Sequence, residues 1–227
     1  QEKPAQLIIG NEKSISVSAD VEEAKEGMIH PLNSRENDAF AVLINFLTQY
    51  NNRVDSLQEL VDKVSKYDPQ YQAKTDAIKR ANAAAVVQFN NSVRVIPTLF
   101  SGTFTAEILC PLNLVTERSE MEAGKNFDTD IAFQHVHFFD YVNFTDARII
   151  NTTSYETKLF TYLDTYTEHT EAGFKKAVDV IMAGAGKNTE VRDFTLSFLL
   201  EVFTKKGPPA LVVYVNDTYA QGCEIPI

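Results

Sequence analysis

Apolar and polar residues alternate at the start of the chain and then change to a helical period. Ala5-Gln6-Leu7-Ile8-Ile9 is β-prone, Gly10-Asn11-Glu12-Lys13 has turn chemistry, and Ile15-Ser16-Val17-Ser18 alternates, so residues 5–20 predict a β-hairpin. Two strands alone are marginal in water and need something to pack on. Residues 25–33 read as a polar connection. Ser34 is then a plausible N-cap, with Glu36 and Asp38 placing negative charge in the first turn. Phe40, Leu43, Leu47, Tyr50, Val54, Leu57, Val61 and Val64 follow at spacings of three and four, a heptad seam on one long helix. Only Asn51-Asn52 weakens it, and the helix could break there.

Asp68-Pro69 restarts a helix, with Asp as cap and Pro in the first helical position. Its apolar positions are Tyr71, Ile78, Ala81, Ala85, Phe89, Val93 and Ile96, and Pro97 is expected to end it. The two helices predict an antiparallel helical hairpin whose Ala-rich residues 81–85 allow close approach. Thr103 to Cys110 predicts a short helix stopped by Pro111. Residues 113–130 carry Glu117, Glu120, Glu122, Asp128 and Asp130 with little periodicity and read as an acidic connection.

Helical pattern returns from residue 133. Thr153-Ser154-Tyr155-Glu156 reads as a capping box, followed by Tyr155, Leu159, Tyr162 and Tyr166 on one face. Phe174, Ala177, Val178, Ile181 and Met182 make a second stripe, closed by Gly184 and Gly186. Val191, Phe194, Phe198, Leu199, Val202 and Phe203 make a third, ended by Lys205-Lys206 and Gly207. Pro208-Pro209 opens a fourth helix carrying Leu211, Tyr214, Val215 and Tyr219, with Gly222 as its expected stop. The fold class that follows is mainly α: a helical hairpin plus a multi-helix subdomain, with a small N-terminal β-hairpin. The expected organisation is a β-hairpin and linker over 1–34, a hairpin and short helix over 35–112, the acidic connection over 113–132 and a helical subdomain over 133–227.

Charge narrows the partners. With 21 Lys and Arg against 31 Asp and Glu, the net charge is −10. Nucleic acid and anionic membrane surfaces are unsuited to such a chain, since a phosphate backbone needs a basic footprint. No apolar run approaches the roughly 20 residues of a membrane-spanning helix. Gln1-Glu2-Lys3-Pro4 has no charged-then-apolar export pattern, so the expectation is a processed or excised chain.

Candidate chemistry is sparse. His135-Val136-His137 with Asp140 could hold zinc or iron if both histidines shared a strand face, the basis of a metal-enzyme reading. On a helix they diverge, and only His137 with Asp140 or Tyr141 would be neighbours. Phe133, Phe138 and Phe139 around them point to a packed helix and structural histidines, with no metal site. The stripe Tyr155, Phe160, Tyr162, Tyr166 could line a groove, but at helical spacing it reads as core. No Gly-x-Ser-x-Gly, phosphate-binding glycine loop or His-Glu-x-x-His occurs, and no cofactor is implied. The two cysteines, Cys110 and Cys223, could bridge, but no Cys-x-x-Cys exists, and no basic residue close to Cys223 in sequence would lower its pKa.

His137-Phe138-Phe139-Asp140, Asn143-Phe144-Thr145-Asp146, the helix from Tyr155 to Tyr166 and the segment from Ala210 to Gly222 resemble the TlpA-like thiol–disulfide oxidoreductases of the Bacteroidetes. The likeness is to the helical region before their thioredoxin domain. Ser34-Arg35-Glu36-Asn37-Asp38-Ala39-Phe40 and Gly102-Thr103-Phe104 resemble further motifs of that region. The resemblance implies a non-catalytic part of a cell-envelope or periplasmic redox protein, with envelope redox proteins as partners and a separate thioredoxin domain as catalyst. It also implies that residues 5–20 end a larger β-domain and that residues near Cys223 lead toward the catalytic domain. The expected roles are positioning, dimerisation or partner selection. The seam residues Phe40, Leu43, Leu47, Tyr50, Val54 and Leu57 are the expected interface of a homodimer through the 37–96 hairpin, because the Ala-rich partner helix offers few large side chains to cover them. The alternative is a freestanding helical module binding a peptide or protein between helix pairs.

Overall fold

A computed structural model of the chain describes residues 7–10, 13–25, 29–116 and 130–220. The chain divides into two compact units, Gln1–Cys110 and Pro111–Ile227. Both are mainly helical among the described residues, and the small sheet belongs to the first.

In the first unit, β1 (Ser16–Ser18) pairs antiparallel with β2 (His30–Leu32), Val17 facing Pro31, and α1 (Val21–Lys25) lies between them in sequence. The expected partner strand over residues 5–9 is therefore corrected. Leu7 to Gly10 form no ladder, and residues 5 and 6 lie outside the described residues. Ile8 instead gives its N–H to Asn37 Oδ1 at 2.9 Å and accepts from Asn37 Nδ2 at 2.8 Å. An edge position tolerates Pro31, whose missing N–H would interrupt a central strand.

Asn33 takes a left-handed φ of 57° and Ser34 caps α2 (Arg35–Lys63) by accepting from Asn37 N at 3.2 Å. No Gly or Pro interrupts these 29 residues, and the helix passes unbroken through Asn51-Asn52. At 1.5 Å per residue it is about 44 Å long. α3 (Tyr71–Leu99) starts two residues later than expected, after Asp68 accepts from Gln70 N at 2.7 Å and pairs with Lys74. It also runs through Pro97 to Leu99. A proline so near the C-terminus disturbs only the last turn, where few bonds remain to be lost. The core between the two helices holds Leu43, Leu57, Ala85, Phe89, Val93 and Ile96, with Tyr50 stacked on Phe89 at 4.6 Å between ring centroids.

The expected helix 103–110 is one turn of π-helix (Thr105–Leu109) running directly into α4 (Cys110–Asn113), so Pro111 does not stop it. The wider turn gives the proline ring room. Gly102, at φ 81°, supplies the left-handed residue before it.

The second unit contains α5 (Asp130–His137), a 3-10 turn (Ala147–Asn151), α6 (Thr153–Thr165), α7 (Glu171–Ala185), α8 (Thr189–Lys206) and α9 (Pro209–Tyr219). Thr152, Thr170 and Asn188 cap α6, α7 and α8 through their side chains. The cap of α6 is thus Thr152, one residue before the expected capping box. Two adjacent threonines can each serve, and the extended backbone of Thr152 decides. Tyr155, Tyr162, Ile181, Leu199, Leu211 and Val215 meet in the core. Tyr155 donates to Thr195 Oγ1 at 2.7 Å, and Thr195 passes the bond on to Val191 O at 2.6 Å. Gly184 lies inside α7, against the Phe144 ring, where a Cβ would approach to 2.6 Å. The Gly222 stop, Cys223 and most of the acidic connection lie outside the described residues.

Candidate functional site

The expected interface residues lie on the α2 face that meets α3. Leu43 and Leu57 are buried, while Phe40, Leu47, Tyr50 and Val54 are half-buried. Exposed apolar side chains remain beside them: Ile44, Leu60 and Val61 on α2, and Val87, Val95 and Leu99 on α3. Two open grooves run along the hairpin. One, of about 320 Å³, lies among Phe46, Tyr50, Arg53, Ala81, Ala85 and Phe89. The other, of about 480 Å³, lies toward the helix connection among Val54, Leu57, Val61, Tyr71 and Ile78.

Beside the hairpin base, Glu36 is 5% exposed, and its carboxylate is filled by donors from the π-turn. It accepts from Phe104 N at 2.7 Å, Thr105 N at 2.8 Å and Thr105 Oγ1 at 2.7 Å. Sequence spacing marked Glu36 only as first-turn charge, because these partners lie 68 and 69 residues away. Cys110 is buried, and its thiol is pushed up to about 12, chiefly by burial and then by the Glu36 carboxylate. A thiol so held is protonated at neutral pH, which disfavours it as a nucleophile.

His135 and His137 both lie on α5 and diverge as a helix requires. His137 stacks on Phe133 at 4.6 Å and places Nδ1 2.8 Å from Asp140 Oδ2. No group of three His, Cys, Asp or Glu side chains that could hold a metal occurs among the described residues. Of the aromatic stripe, Tyr155 and Tyr162 are fully buried, Tyr166 is half-buried and Phe160 is exposed.

Lys158 lies three residues after Tyr155 and four before Tyr162 on α6. Helical spacing turns its stem toward the stripe that enters the core. Its Nζ donates to Leu114 O at 3.3 Å and lies 4.7 Å from the centre of the Phe138 ring. Phe138 is itself boxed by Phe139, Tyr162 and Tyr166 at centroid distances of 5.2, 5.5 and 5.0 Å. No carboxylate pairs with Lys158 among the described residues. Burial lowers its ammonium from an ordinary 10.5 to about 8. An amine so held has a substantial neutral fraction near physiological pH and can act as a nucleophile. The signal available in the sequence was a lysine inside an apolar helical stripe.

The chain matches no known protein-family model, no curated protein and no solved structure.

Proposed function

We propose that this chain is a non-catalytic helical region of a cell-envelope thiol–disulfide oxidoreductase of the TlpA-like kind, serving positioning, dimerisation or partner selection. The observation that supports the non-catalytic part is the lack of a Cys-x-x-Cys pair in the sequence, together with Cys110, whose buried thiol is raised to about 12 and so is disfavoured for disulfide exchange. Reduction would belong to a separate thioredoxin domain, with envelope redox proteins as partners. The hairpin would be the interaction element. Its exposed Leu60, Val61, Val95 and Leu99 flank a seam whose buried members already hold α2 to α3, and a two-fold contact with a second copy would cover them. The alternative, a freestanding module that binds a peptide or protein, draws on the two open grooves along that hairpin.

Two measurements test the proposal. The 227-residue chain should not accelerate insulin-disulfide reduction by dithiothreitol. Light scattering at tens of micromolar should report a dimer that Leu60→Glu with Val95→Glu converts to a monomer of unchanged helicity. Exposed positions serve better than Leu57, whose burial would unfold the hairpin on substitution. Insulin reduction that vanishes on Cys110→Ser or Cys223→Ser would overturn the non-catalytic reading, and a monomeric unmutated chain would overturn the dimer.

A further inference from the structure

We propose that Lys158 is a nucleophilic amine site that takes small neutral aldehydes, holding them as an imine beside the Phe138 ring. Three observations converge on it. The amine lies against an aromatic box and makes one long bond to a backbone carbonyl, with no carboxylate partner among the described residues. A carbonyl acceptor leaves the amine its lone pair once the proton is gone, whereas a carboxylate would hold the ammonium charged. The box is apolar and aromatic, which suits a flat neutral ring better than an anion, as does the net charge of −10.

The step is balanced within the pair. The Lys158 lone pair adds to the carbonyl carbon, the carbonyl π pair moves to oxygen, and proton transfer gives a carbinolamine. Loss of water then forms the C=N bond. The neutral imine replaces a desolvated cation, so the environment that strains the ammonium favours the product.

With its pKa lowered from 10.5 to about 8, Lys158 is neutral about 300 times more often than an ordinary lysine near pH 7. Its lower basicity also weakens it as a nucleophile, so the net advantage expected is at least about tenfold in rate. The whole chain would be treated with benzaldehyde at limiting concentration, trapped with cyanoborohydride and mapped by peptide mass spectrometry over a pH series. Near pH 7 Lys158 should be alkylated at least about tenfold faster than the median of the fourteen lysines, and that advantage should shrink as the pH is raised from about 8 toward 10. Phe138→Leu should reduce that selectivity while leaving the other lysines unchanged. Labelling of Lys158 no faster than that of the exposed lysines overturns the proposal, as does an advantage over them that does not shrink between about pH 8 and pH 10. Insulin reduction and dimerisation are untouched by either result, so this proposal and the functional reading fail separately.

Discussion

Replacing Lys158 with methionine should stabilise the protein at neutral pH, an unusual outcome for a change at a partly buried position. Methionine keeps an unbranched stem of similar reach and removes the charge. Burial lowers the ammonium from 10.5 to about 8, and at 1.36 kcal/mol per pKa unit the folded state carries a penalty of about 3 kcal/mol while the lysine is charged. Losing the long bond to Leu114 O and the contact with Phe138 offsets about 1 kcal/mol. The net gain near pH 7 is therefore about 2 kcal/mol.

The sign of the pH dependence follows from the depressed value. Below about pH 8 both states hold the proton and the penalty is present in full. Between 8 and 10.5 the unfolded chain binds more protons than the folded one, so stability rises with pH and the penalty disappears. Tyr155 and Tyr162, raised from 10.0 to about 12 by burial, act oppositely and lower stability as pH climbs past 10, but equally in wild type and variant. Urea unfolding followed by circular dichroism should thus show the advantage of Lys158→Met shrinking by more than half between about pH 7 and pH 9.5. A variant less stable than wild type at pH 7, or an advantage independent of pH, would refute the reasoning.

Two further substitutions probe the frame. Glu36→Gln turns one carboxylate oxygen into a donor facing the N–H groups and hydroxyl of Phe104 and Thr105, and should cost about 3 kcal/mol in urea unfolding. Glu59→Gln on the exposed face of the same helix should cost less than about 0.5 kcal/mol; equal effects would show that the buried bonds contribute nothing. Gly184→Ala pushes a methyl group into the Phe144 ring and should lower stability by about 1–3 kcal/mol, recovered in part by Phe144→Leu in a double-mutant cycle.

Long periodic elements were legible in the sequence because the burial that shapes them is local. The three–four spacing from Phe40 to Val64, closed by Ser34 in front, predicts α2 nearly to the residue, and Pro208-Pro209 marks the start of α9. Short elements were not. His30-Pro31-Leu32 has no alternation and a proline at its centre, yet it becomes the partner of β1 because the chain returns after a five-residue helix. Residues 5–9 looked more strand-like, but Ile8 finds its donor and acceptor in one Asn37 side chain. Pro97 and Pro111 are read as stops by local rules. Their helices continue because one proline falls in a last turn and the other follows a widened one.

Glu36 and Lys158 show why the sites were harder to see than the helices. Glu36 reads as first-turn charge and Lys158 as a charge inside an apolar stripe, and neither reading reveals the role of the residue. What separates them is the partner each meets from a distant segment. Glu36 meets two N–H groups and a hydroxyl from a turn 68 and 69 residues on, so its charge is fully answered and its role is to fasten the π-turn to α2. Lys158 meets a carbonyl 44 residues back and a ring that can answer only part of its charge. A buried charge with all its bonds made stabilises a fold, whereas one left short of partners shifts toward its neutral form and becomes available to react. The same distance in sequence that hid both partners thus decides which of the two residues is structural and which is the candidate for chemistry.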